Sequence, residues 1–174
     1  MPGLLLPFQG IRPTIAPDAF IAPNATIIGN SVIGAGSSIW FGCILRGDVH
    51  EIRVGARVNI QDGTVVHVSR AKTGTYIGDD VSIGHMALIH GCVLEDQAFV
   101  GMHATVMDEC VVESLAFVAA GALVTPGKRV KRGELWAGRP AKMIRELDET
   151  DFAMMAGTAR SYAALAQQYR SEIG

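Results

Sequence analysis

The sequence predicts an all-β chain: a parallel β-helix with three faces and about six coils, followed by a C-terminal α-helix. Two observations carry this. Aliphatic residues recur every six positions through most of the 174 residues, and after Trp136 that period gives way to a helical spacing. A six-residue period fits neither the 3.6 of a helix nor a plain strand alternation. It fits short parallel strands joined by tight corners, with one branched side chain per strand pointing inward. A β-sandwich would show less regular spacing between its turns.

The anchors begin as Ile15, Ile21, Ile27, Ile33, Ile39 and Leu45. After a slip of three residues come Val54, Ile60 and Val66, and after an insertion of five, Ile77, Ile83 and Ile89. One residue is then dropped, and Leu94, Val100, Val106, Val112, Val118, Val124 and Val130 complete the series. A small residue such as Ala25, Ser37, Cys43, Ala87 or Cys110 follows many anchors by four positions, where a corner leaves little room. With neighbouring strands about 4.8 Å apart, the prism stands roughly 30 Å tall. Beyond it, Asp148, Glu149, Thr150 and Asp151 read as a helix start. Phe152, Met155, Ala159, Tyr162, Ala163, Ala166 and Tyr169 then recur at helical spacing, which places a helix along one face. The expectation is a single domain over 1–174, with the β-helix over 10–136 and a helical segment over 140–174.

Composition narrows the function. Hydrophobic residues make up 49% and charged ones 18%, enough to bury a core and too apolar for disorder. Fifteen basic against seventeen acidic residues leave a net charge of −2, which gives no reason to expect nucleic acid or a membrane as partner. Three cysteines, Cys43, Cys92 and Cys110, lack any paired spacing and read as packing residues in a reducing compartment. The start has no basic, apolar leader, so a cytoplasmic protein is expected.

The coil register turns spacing into geometry. Counting the three faces as A, B and C from Ile15, Leu45, Val66 and Ile89 all fall on face C in successive coils. The residue after each anchor points outward, so Arg46, His67 and His90 stack on one external surface. On face B, Ile60 stacks with Ile83, which sets Asp62 beside His85. Two histidines about 4.8 Å apart can share one metal ion. His85 lies five residues before His90, about 16 Å of extended chain, beyond the reach of two imidazoles. A neighbouring subunit would supply it, and a three-sided prism suits three-fold closure. One histidine on a solvated strand is ordinary polar surface; three within 24 residues, two of them stacked, point to a metal. His50 and His103 show no such alignment and read as surface. Met86, Met102 and Met107 read as filler.

Arg46-Gly47-Asp48, Asn59-Ile60-Gln61-Asp62-Gly63, His67, and Ile83-Gly84-His85 through His90-Gly91-Cys92 resemble the γ-class carbonic anhydrases and their bacterial homologues, over residues 10 to about 145. The resemblance implies a left-handed β-helix assembled as a homotrimer, with a metal between subunits. It implies His67, His85 and His90 as ligands of Zn2+, with Fe2+ or Co2+ accepted by the same donors. It assigns Gln61 to the metal-bound water, Arg46, Asp48 and Asp62 to an ion-pair network, and Tyr162 as the helix residue lining the site. The implied reaction is reversible hydration of carbon dioxide, a small-molecule substrate, to bicarbonate, with metal-bound hydroxide as nucleophile. The archaeal members relay the proton through glutamates. The corresponding places here hold Val49 and a loop, Val68 to Tyr76, with Arg70 and Lys72 but no acid, which predicts slow turnover. The same scaffold also serves coenzyme A thioester hydrolases, acyltransferases and non-catalytic trimers, and these stand as alternatives.

Overall fold

The computed structural model describes residues 3–70 and 72–173 and is a parallel β-solenoid of about seven turns with one C-terminal helix. The predicted anchors form its interior. From Ile27 to Val130 none is more than 4% exposed, and each such burial contributes about 1.5–3 kcal/mol. Ile15, at the open end, is only partly buried.

Stacking follows the expected register. Face C pairs Leu45 with Val66, Val66 with Ile89, Ile89 with Val106, and Val106 with Val124. Face A pairs Ile33 with Val54, Val54 with Ile77, and continues through Leu94 and Val112 to Val130. Faces A and C form one twelve-stranded sheet, because the long strands Thr26–Ile33 and Ile44–Val54 run from one face to the other. Face B is an eight-stranded sheet of its own, stacking Ile21, Ile39, Ile60, Ile83, Val100 and Val118. Corners are tight enough to demand glycine: a Cβ on Gly34 would sit 2.3 Å from the Gly55 carbonyl oxygen in the next coil.

The helix Glu149–Ile173 lies on face B, against the strands Phe20–Ile21, Ser38–Ile39, Asn59–Ile60 and Ser82–Ile83. Asp148 caps it, its Oδ1 accepting the backbone N–H groups of Thr150 at 2.9 Å and Asp151 at 3.1 Å. Docking rests on an aromatic cluster in which Tyr169 meets Phe20, Trp40 and Phe41, and Tyr162 meets Trp40 edge-on at 5.2 Å. No helix of the described residues is long and apolar enough to cross a membrane.

Three expectations need correction. The β structure begins before residue 10, since strand Leu4–Leu6 pairs with Thr26–Ile28 and covers the open end of face C. The segment 140–174 is not helical throughout. Ala141–Glu146 is a strand that returns antiparallel on Glu134–Gly138 and closes face B. It escapes the six-residue period because a terminal strand needs no inward anchor; only Ala141 of its residues is buried. Ala163, placed on the apolar stripe from its spacing, is exposed, and the buried helix residues are Met155 and Ala166. Gly174 lies outside the described residues.

Candidate metal centre

The histidines singled out from sequence fall in two clusters on different parts of the prism. On face C, strands Val65–His67 and Leu88–His90 pair in register, so His67 and His90 are direct neighbours. His67 Nδ1 and His90 Nε2 face each other at 3.1 Å. Each ring's outer nitrogen meets a carboxylate: His67 Nε2 lies 3.0 Å from Asp48 Oδ1, and His90 Nδ1 contacts Asp108 Oδ1. Asp48 also receives Arg46 and the Val49 backbone N–H, the latter at 2.8 Å. Burial pushes the Asp48 carboxyl up, but the hydrogen bonds from His67 and Arg46 outweigh it and hold it below the usual range.

The second cluster belongs to face B. Asn59 and Ile60 pair with Ser82 and Ile83, and the corner beyond brings Asp62 Oδ2 to 2.8 Å from His85 Nδ1. The opposite nitrogen, His85 Nε2, lies 3.1 Å from the Tyr162 hydroxyl, 77 residues away on the helix. Burial and the Asp62 charge push the Tyr162 phenol up, so it keeps its proton and donates. Gln61 is buried, directly after the strand Asn59–Ile60 that the helix covers. Its Nε2 donates to Asn59 Oδ1 at 3.0 Å, and Asn59 Nδ2 donates to Ser82 Oγ at 2.7 Å. That chain fixes the amide, leaving Gln61 Oε1 as an acceptor.

Of the residues singled out from sequence, the fold therefore gathers Arg46, Asp48, His67 and His90 in one place. It sets Gln61, Asp62, His85 and Tyr162 in another. Within the chain, Asp62 serves His85 rather than the Arg46–Asp48 pair. No three His, Cys, Asp or Glu side chains of the described residues are grouped to hold a metal within one chain. His50 turns aside, its Nδ1 accepting the Glu51 backbone N–H at 2.8 Å, and His103 is exposed. Asp108 escaped the sequence reading. It stands two positions past the anchor Val106, as Asp62 does past Ile60, so the same rule would have found it. All three cysteines are free and buried, and burial raises each thiol, that of Cys43 to about 12.

A pair of facing ring nitrogens is a chemical statement. Carboxylates only accept, so each outer nitrogen carries the proton in the neutral rings and both inner nitrogens present lone pairs. In that tautomer the two lone pairs, 3.1 Å apart, are placed to share a cation. Nitrogens bound at about 2.0–2.1 Å to one tetrahedral ion stand about 3.3 Å apart, close to what is found. Carboxylates that accept from a histidine's far nitrogen are the usual outer support of histidine metal ligands. The residues present fit a divalent metal.

A family model described as bacterial transferase hexapeptide (six repeats) matches residues 12–47. Gamma carbonic anhydrase 2, mitochondrial, of Arabidopsis thaliana is 50% identical over 92% of this chain and 59% of its own length. The chain thus spans about three fifths of that relative and of Gamma carbonic anhydrase 1, mitochondrial, from the same plant. A protein named carbonic anhydrase from Geobacillus kaustophilus is 40% identical over 97% of this chain and 92% of its own. Among solved structures, a hexapeptide transferase family protein from Anaplasma phagocytophilum superposes with a TM-score of 0.92 at 49% identity, covering 95% and 98% of the two chains. A putative acetyltransferase from Bacillus cereus gives 0.94 at 38% identity, with 97% of each chain covered. Repeat, site motifs and overall likeness converge: the chain belongs to the γ-class carbonic anhydrase family of hexapeptide-repeat proteins.

Proposed function

We propose that the protein is a homotrimeric, metal-dependent lyase that hydrates carbon dioxide reversibly to bicarbonate. Each metal is held by His67 and His90 of one protomer and His85 of the partner subunit. The observation that supports this most is the facing pair His67 Nδ1 and His90 Nε2, backed by Asp48 and Asp108, while His85 is turned to another part of the same chain. Self-association has a surface to use. Beside the histidines an outward ladder of Ile44, Val65, Leu88, Thr105 and Leu123 crosses five coils, with Ile44 41% exposed. Met86, next to His85, is 58% exposed.

Zinc leads, with iron(II) and cobalt(II) suited to the same donors. When bound, the metal supplies the Lewis acidity that makes water nucleophilic near neutral pH. The chain's residues do the rest. Asp48, Asp108 and Asp62 fix the tautomers of the three imidazoles, and the Tyr162 hydroxyl would leave His85 Nε2 to the metal. Gln61, its amide nitrogen engaged by Asn59, offers Oε1 to accept a hydrogen bond from water and so would aim the water's lone pair at the carbon. Arg46, anchored by Asp48, presents donors for the oxygens of bicarbonate. Tyr162 stays protonated at the edge of the site. No carboxylate stands at position 49, so the proton passes to solvent buffer. Free, buried thiols agree with a reducing, cytoplasmic setting.

A second reading, acyl transfer or thioester hydrolysis with coenzyme A, is favoured by the names of the two structural neighbours, a hexapeptide transferase family protein and a putative acetyltransferase. Metal analysis of the purified protein together with a stopped-flow hydration assay tests the first reading. About one metal per protomer and measurable hydration are expected. A fully metal-loaded protein without hydration overturns it in favour of the second.

A further inference from the structure

The geometry points to Asp108 as the positioning residue for His90, with the missing side chain of Gly91 as the space that lets it reach the ring. This rests on reading His67 and His90 as metal ligands. Asp108 lies in the coil after His90, two residues past the anchor Val106 that stacks on Ile89. Its corner is clamped from both sides. The Asp108 carbonyl accepts the Gly127 N–H at 2.9 Å, and the Glu109 N–H donates to the Gly91 carbonyl at 2.8 Å. From that fixed backbone the carboxylate meets His90 Nδ1.

Two features distinguish this contact from the Asp48–His67 one. Asp48 shares its charge with Arg46, whereas Asp108 forms no ion pair with an arginine or lysine among the described residues. Its charge is therefore spent on His90 alone, which fixes the proton on Nδ1 and raises the donor strength of Nε2. Gly91 supplies the second feature. Its φ is +55°, and a Cβ there would stand 2.4 Å from Asp108 Oδ1 and 2.9 Å from Thr73 Oγ1. Any side chain at 91 would push the carboxylate off the ring. The contact adds a reason, beside the positive φ, for a glycine to follow this histidine directly.

The test is metal affinity, read by competition with a chelator, together with the visible absorption of the cobalt(II) protein. Asp108→Asn should bind zinc about 10–100-fold more weakly than wild type and alter the cobalt spectrum, while the metal-free protein melts as wild type does. Glu109→Gln removes a neighbouring charge that pairs with Lys72 at 3.2 Å and should leave affinity unchanged. Gly91→Ala should weaken binding as Asp108→Asn does, and the double variant should be no weaker than Asp108→Asn. Wild-type affinity in Asp108→Asn overturns the positioning role, and additive losses in the double variant overturn the part given to Gly91. A wild-type protein that takes up neither zinc nor cobalt overturns the metal reading itself, and the positioning role falls with it.

Discussion

Mixing two broken variants tests the shared site more directly than any single substitution. One variant carries His67→Ala and His90→Ala, so its face C half-site is gone; the other carries His85→Ala. The halves are independent within a chain. His67 and His90 are tied to Asp48 and Asp108, and His85 to Asp62 and Tyr162, so each variant keeps the other half intact. In a cyclic trimer an interface is complete only where the intact face C half of one variant meets the intact His85 of the other. Random assembly of equal amounts gives that arrangement at about one interface in four. Metal should therefore rise from near zero in each variant alone to about 0.25 per protomer in the co-refolded mixture, and hydration to about a quarter of the wild-type rate. Elemental analysis of the gel-filtered trimer measures the first, stopped-flow the second. His50→Ala and His103→Ala serve as controls and should retain full metal. A mixture that holds no more metal than its separate parents refutes the intersubunit site. If either parent alone keeps wild-type metal, the ligand assignment fails instead.

Three other outcomes follow from the same geometry. Hydration should be slow and should rise with the concentration of imidazole buffer, because Val49 and the acid-free loop offer no internal relay; a fast, buffer-independent rate contradicts this. The Arg145 guanidinium holds the Asp151 carboxyl at about 2, below its ordinary 3.8. A carboxyl depressed in the folded state adds stability above its ordinary value that is lost as pH falls toward 2. Asp151→Asn should flatten the acid limb of a fluorescence-detected unfolding curve between about pH 4 and 2, and an unchanged limb would show that the pair adds nothing. Ile83→Ala, at a fully buried position between Ile60 and Val100, should cost about 3 kcal/mol and lower the melting temperature by roughly 6–12 °C. A loss under about 1 kcal/mol would mean that the coil collapses around the cavity.

By itself the sequence determined the register, and with it half of the chemistry. In a solenoid every residue stacks on the one a coil earlier, so spacing along the chain becomes contact in space. Val66 and Ile89 pair as counted, His67 and His90 are neighbours, and Asp62 meets His85. The expectation of a shared site drew on the same arithmetic, which put His85 and His90 on different faces. No three His, Cys, Asp or Glu side chains group to hold a metal among the described residues. Tertiary structure decided whatever escapes the period. The return strand Ala141–Glu146 has a solvent-facing pattern, and only its pairing with Glu134–Gly138 defines it. Tyr162 reaches His85 because an aromatic cluster docks the helix, a packing outcome that no spacing encodes and that only family resemblance anticipated. The amide of Gln61 is oriented by Asn59 and Ser82 under that helix. The register brings Asp108 to the coil beside His90, but only the structure shows that its carboxylate reaches the ring through the space that Gly91 leaves.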